Sequence, residues 1–184
     1  MAEPHGVINE LDVDDARRTL GRCCGSSRWI EAMLARRPFA STASLHAEAE
    51  AIWSTLGRED FLEAFAHHPR IGAGTGADEP VVEREAAGGD GAGEALRATA
   101  AWSREEQARV AEAEDGVLRA LRAANVAYAR RFGYIFIVCA HGKTAAEMLA
   151  LLESRLAHDP ARELAVAASE QARITRLRLD RVGA

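Results

Sequence analysis

YIFIVCA, residues 134–140, is the one stretch of this chain with strand-like composition. β-branched and aromatic side chains follow one another there without a polar break. A lone strand cannot build a sheet, because its backbone N–H and C=O groups need a second strand to bond to. The run therefore reads as a buried extended connector or irregular helix, and the rest of the chain decides the class. Working outward, apolar residues recur at helical spacing on both sides. Val110, Val117, Leu121 and Tyr128 mark one face of a long helix predicted to start at Ser103 and to end at Gly133. On the other side Thr144 caps a helix carrying Met148, Leu149, Leu152 and Leu156. Asp159-Pro160 then starts a last helix with Leu164, Ala168, Ile174 and Leu177, proline taking the first helical position.

Toward the N-terminus the pattern is the same. Ser26 caps a helix stopped by Pro38. A helix over 44–56 carries Leu45, Ile52, Trp53 and Leu56, with Gly57 expected as its C-terminal cap, and a short one over 59–66 carries Phe61, Leu62 and Phe65. Between 72 and 93 periodicity fails: seven of the chain's 15 glycines fall there. That reads as a long loop, with a short helical piece around 81–87. No internal repeat is visible. The expected fold is all-α, a single-domain helical bundle over 1–184.

The 184 residues are 48% hydrophobic and 28% charged, which excludes wholesale disorder. A net charge of −5 argues against nucleic acid or an anionic membrane surface as partner, and 5% aromatics are too few for a base-stacking platform. No segment approaches the roughly 20 apolar residues of a membrane span, and the acidic first residues lack the apolar core of a signal peptide. Three cysteines (Cys23, Cys24, Cys139) and a chain end without a peroxisomal tripeptide point to reduced thiols and the cytoplasm.

Several motifs look chemical. HGKT (141–144) resembles the tail of a phosphate loop, but the required glycine is replaced by Ile137, and nucleotide binding is rejected. The six histidines include no i, i+4 helical pair and no CxxC exists, so no metal site is expected. Cys23-Cys24 reads as a packed helix end. In AHHPRIG (66–72), Pro69 disfavours the α region for His68, which should be expelled from the preceding helix and held by a stiff turn. Its imidazole suits acid–base work. On periodicity alone the simpler reading is a helix C-terminus whose histidines favour the macrodipole. SREEQ (103–107) is by itself a capping box, Ser103 at the cap and Glu106 at the third helical position, although a hydroxyl, a carboxylate and free N–H groups together could also bind a polar ligand. Thr144 and Glu147 form a second capping box, with no chemistry assigned. Arg178 lies one turn beyond Ile174 on or beside the buried stripe, where a guanidinium needs an anion or carbonyl partner.

Taken in order, HPRIG (68–72), WSREEQA (102–108), N-x-x-Y-x-x-RFGYIFIVCAHGKTAAEML (125–149), SRLAHDPARELAVA (154–167) and ITRLRL (174–179) resemble the 2-oxo-4-hydroxy-4-carboxy-5-ureidoimidazoline (OHCU) decarboxylases of urate catabolism. The resemblance runs over about 8–182. It implies an all-helical, cofactor-free, commonly homodimeric carboxy-lyase. It also implies His68 and Glu106 as a catalytic acid–base pair, with Ser103 and Gln107 hydrogen-bonding the substrate and Arg178 gripping a carbonyl or carboxylate. Pro69 would shape the pocket, and the backbone at Ile135, Phe136, Ile137 and Val138 would line it. Two departures stand out: the gap after HPRIG is long and glycine-rich, and Ile135 replaces a proline common in relatives. The competing reading is a non-catalytic all-α module that binds ureides on the same scaffold. It has no use for a group that moves a proton at neutral pH.

Overall fold

The computed structural model describes residues 2–69 and 115–183. The predicted start of the long helix at Ser103, its Val110, and the 72–93 loop with its helical piece lie outside the described residues. Among the described residues there are eight helices and no strand: α1 Pro4–Glu10, α2 Val13–Cys23, α3 Ser27–Ala35, α4 Thr42–Ser54, α5 Arg58–Ala66, α6 Asp115–Phe132, α7 Ala145–Arg155 and α8 Pro160–Asp180. None is long and apolar enough to cross a membrane.

The helix boundaries follow from local chemistry. Ser26 accepts from the Trp29 N–H at the start of α3, and Thr144 with Glu147 forms a reciprocal capping box on α7. The Asp159 carboxylate accepts from two first-turn N–H groups of α8, and Pro160 follows it. Gly133 ends α6 at φ +81°, a left-handed conformation that favours glycine.

Two expectations are corrected. α4 begins at Thr42, not at residue 44, because Ser41 caps it and Ser44 completes the box from the third position. Gly57 is the N-cap of α5, not the C-cap of α4; Thr55 holds that place. Gly57 has an extended backbone, and its N–H donates to Asp60, so the glycine opens a helix. The N-terminal pair α1 and α2 was not anticipated. α2 buries Ala16, Thr19, Gly21 and Cys23 beside Leu20, so its core face is made of small residues. That gives little apolar periodicity to read.

α8 lies between two apolar clusters. Ala167 and Ile174 pack with Phe65 of α5, Leu121 and Tyr128 of α6, the connector and Met148 and Leu152 of α7. Ala168 and Leu179 pack on the opposite side with Ile8, Leu20, Trp29, Met33, Leu45 and Trp53. Other buried positions of α8 are polar: Glu163, Gln171, Thr175 and Arg178. A helix about 30 Å long thus carries ionisable groups through the interior.

The connector behaves as its composition suggests. Residues 136–140 are buried on both faces. With no neighbouring strand among the described residues, the connector has backbone groups satisfied by side chains. The Ile137 carbonyl accepts from Arg155 Nη1 at 2.9 Å, the Cys139 N–H donates to Glu170 at 2.7 Å, and the Cys139 carbonyl accepts from Lys143 at 2.8 Å. Arg155 is held in turn by Glu163, from Nε at 2.8 Å and Nη2 at 2.5 Å. The Tyr128 hydroxyl also donates to Glu163, and His158 Nδ1 lies 2.7 Å from its second oxygen. The Arg155 guanidinium stacks over the Phe136 ring at 4.6 Å. Burial, with the Glu163 carboxylate alongside, pushes the Tyr128 hydroxyl well above its ordinary range, so it stays a donor.

Candidate active site

The last residues of α5 set the site. Ala66 is the final helical residue, and the His67 and His68 N–H groups close the turn onto Ala64 and Phe65 carbonyls, His68 at 3.1 Å. His68 thus leaves the helix as Pro69 requires. The turn is braced from the α2–α3 junction. A Cβ on Gly25 would come within 2.3–2.6 Å of the His67 side chain, so only glycine allows that approach. Glu63 of α5 accepts from the Ser27 N–H at 3.0 Å and hydroxyl at 2.5 Å, tying α3 to the same helix end. Cys23 and Cys24 close the junction as a packed helix end, and burial pushes both thiols up to about 12.

Facing the turn is α8. Arg178, only 1% exposed, places Nη2 at 3.4 Å from His68 Nδ1 and Nη1 at 3.4 Å from the Arg22 carbonyl. Thr175 and Gln171 stand one and two turns earlier on the same face. Gln171 is fully buried, and its amide nitrogen donates to Thr175 Oγ1 at 3.2 Å. The His68 residue keeps some exposure, but its Nε2 is buried and lacks a hydrogen-bond partner among the described residues. Burial first, then the Arg178 charge, lowers the His68 pKa to about 3; Gln171 opposes the shift and His67 adds to it. His67 is lowered by burial too, against the pull of Glu63. The arrangement is a neutral imidazole beside a buried guanidinium, suited to an anionic, oxygen-rich ligand.

The structure therefore brings two of the predicted residues, His68 and Arg178, into contact and puts Pro69 directly after the histidine. Ser103, Glu106 and Gln107 lie outside the described residues. Of the connector residues, Phe136, Ile137 and Val138 are buried and Ile135 is partly so. They meet the same end of α5 through Phe65, whose ring packs on Tyr134 at 5.2 Å. The Ile137 carbonyl and the Phe136 ring are engaged by Arg155. Gln171, Thr175 and Gly25 were missed. The first two were findable, since with Arg178 they repeat at i, i+4 and i+7 inside an otherwise apolar band. Nothing local marks Gly25, whose partner is 42 positions away. Among the described residues no group of three His, Cys, Asp or Glu side chains converges as a metal would need.

The OHCU decarboxylase family model matches residues 9–180. The chain is 34% identical over 157 residues to the uric acid degradation bifunctional protein TTL of Arabidopsis thaliana, covering 85% of this chain and 44% of that protein. It is 30% identical over 174 residues to the uric acid degradation bifunctional protein PucL of Bacillus subtilis (strain 168), covering 94% of this chain and 31% of that one. It thus spans less than half the length of either relative. Among solved structures, an OHCU decarboxylase crystallised in the presence of (S)-allantoin superposes with a TM-score of 0.67 at 32% identity, over 88% of this chain and 94% of that one. An (S)-allantoin synthase, at 19% identity and a TM-score of 0.63 over 97% of this chain and 53% of that one, shares the fold. With the ordered motifs, the helical architecture and this coverage in agreement, the chain belongs to the OHCU decarboxylase family.

Proposed function

We propose that this chain decarboxylates OHCU to (S)-allantoin in urate breakdown, without a cofactor. The observation that carries the reading is the uncharged His68 held beside buried Arg178 on this family's scaffold. In OHCU the carboxylate and a hydroxyl share one ring carbon, next to a ureido-bearing carbon that is doubly bonded to nitrogen. When the carbon–carboxylate bond breaks, its electron pair forms a double bond between the two ring carbons, and the former C=N pair settles on nitrogen. Carbon dioxide leaves and the nitrogen takes up a proton. The resulting enol then loses its hydroxyl proton as the ureido-bearing carbon gains one, giving a carbonyl and a new stereocentre. The substrate is its own electron sink, which is why no cofactor is called on.

The chain's part is to bind, orient and deliver a proton to one face. Arg178 grips the carboxylate or a carbonyl, and neutral His68 engages the hydroxyl of the reacting carbon. Glu106 serves as its acid–base partner, Ser103 and Gln107 hydrogen-bond the substrate, and Pro69 with the backbone of 135–138 shapes the wall. The same reading places a homodimer in the cytoplasm.

The test is circular dichroism during urate breakdown, with substrate made fresh by urate oxidase and the preceding hydrolase. Rapid formation of (S)-allantoin with the protein, against slow racemic decay without it, is expected. Traces that match the protein-free decay would overturn the reading and favour a ureide-binding module.

A further inference from the structure

Two successive peptide groups of the connector are held by side chains. Arg155 of α7 donates from Nη1 to the Ile137 carbonyl at 2.9 Å, and Glu170 of α8 accepts the Cys139 N–H through Oε2 at 2.7 Å. Both peptide bonds are trans. In a planar trans peptide the N–H points opposite to the C=O. The Val138 N–H shares its peptide with the Ile137 carbonyl, so it points away from Arg155. The Val138 carbonyl shares its peptide with the Cys139 N–H, so it points away from Glu170. Val138 is 6% exposed, and neither its N–H nor its C=O has a partner among the described residues. Buried backbone groups are rarely left so. A donor and an acceptor on one residue complement an amide or ureide edge, which carries one of each.

We propose that Glu170 is a positioning residue: by holding the Cys139 N–H it sets the Val138 N–H and C=O as a backbone edge that reads the amide and ureido groups of the substrate. The inference rests on the decarboxylase reading for that substrate, and it deepens the reading by naming what holds the connector wall in register. Glu170 is only 15% exposed, and its Oε1 accepts from Arg173 Nη1 at 3.1 Å, which leaves Oε2 to the connector. A carboxylate accepting a backbone N–H makes a charge-assisted bond, stronger than a neutral pair. Lys143 ties the far side of the same residue, donating to the Cys139 carbonyl at 2.8 Å. Glu170 also stands on the helix that carries Arg178, eight residues earlier and about 12 Å along the axis. One rigid helix therefore sets the spacing between the guanidinium that grips the substrate and the backbone edge that reads it. Glu170 moves no proton, so the acid–base work of His68 and Glu106 stands beside this role.

The test separates reach from charge at position 170. Glu170→Ala should raise KM for OHCU about tenfold with kcat little changed, because the lost contacts hold substrate and transition state alike. Glu170→Asp keeps the charge but stops one methylene short, and should raise KM too. It carries the comparison even if the alanine variant does not fold. Glu170→Gln keeps both the reach and a carbonyl acceptor, and should bring KM back to within about threefold of wild type. A merely structural role would instead lower the active fraction, and so kcat, and leave KM alone. Amide NMR supplies a second readout. In wild type the Val138 amide signal should shift on addition of (S)-allantoin, and in Glu170→Asp that shift should shrink. KM unmoved in the aspartate and alanine variants, a glutamine variant as impaired as alanine, or a Val138 amide indifferent to (S)-allantoin would overturn the proposal. Wild-type turnover with a KM indifferent to Glu170 sinks this inference alone, whereas absence of wild-type turnover sinks the reading on which it rests.

Discussion

Two buried polar clusters sit along α8, each built around an arginine, and they are finished differently. Near the N-terminal end, Glu163 collects Arg155, Tyr128 and His158, and Arg155 reaches on to the Ile137 carbonyl. Further along, Arg178 faces a neutral imidazole, and the His68 and Gln171 side chains each keep one polar atom open among the described residues. A cluster in which opposite charges meet and the carboxylate is shared by three side chains holds a shape. The one that leaves His68 Nε2 and Gln171 Oε1 open among the described residues is where the proposed function puts the substrate. Buried arginine alone does not mark a site; what its partners leave unsatisfied does.

The sharpest way to break the comparison is to cut each cluster at its centre. His68→Ala should lower turnover about 10²–10⁴-fold while the melting temperature stays close to wild type. Glu163→Ala should do the reverse, costing about 3–5 kcal/mol of stability by stranding Arg155, with kcat per folded molecule largely kept. Denaturant titration and steady-state kinetics on both variants decide it. If the two exchange effects, the roles assigned to the clusters are wrong.

Acid should also tell the clusters apart. His68 has a folded value of about 3, below the ordinary imidazole value of 6.5. The unfolded chain therefore binds a proton there that the native one does not, so this contribution is intact above about pH 6.5 and is lost progressively as pH falls toward 3. His68→Gln should flatten the fall of stability with acid over that window. A slope unchanged by the substitution would mean that the ring is not shielded as the structure shows.

Smaller effects sharpen the picture at the turn itself. Gly25→Ala should cost about 1–3 kcal/mol by overpacking and lower kcat as the His67–His68 turn shifts. Adding His67→Gly removes the atoms in the way and should recover part of both; strict additivity of the two changes would rule out the brace. Ser26→Ala, which removes only the α3 cap, should cost about 1 kcal/mol and leave kcat alone.

Much of this architecture was legible in the sequence, for identifiable reasons. The proline after His68, the Ser26 cap, the Thr144 cap with Glu147 and Asp159-Pro160 before an apolar repeat each act locally, and each stands where it was read; the Ser103 box lies outside the described residues. Arg178 was legible because its place in the register of α8 makes it buried. The rest depends on distant contacts. Gly57 looks the same whether it closes one helix or opens the next, and the Asp60 carboxylate settles it. Gly25 matters through a ring 42 positions away, and α2 hides its core face in small side chains. The connector's partners, Arg155, Glu170 and Lys143, come from the segment that follows it and from α7 and α8, so its composition announces burial but not how its backbone is satisfied.

The most direct test of the central claim, that chemistry resides at the His68–Arg178 cluster and shape at the Glu163 cluster, is stereospecific turnover of fresh OHCU per folded molecule. Wild type, His68→Ala and Glu163→Ala would be measured side by side below their melting temperatures. The account predicts (S)-allantoin from wild type and Glu163→Ala at similar rates, and protein-free behaviour from a folded His68→Ala. A folded His68→Ala that still produces (S)-allantoin at the wild-type rate would contradict it.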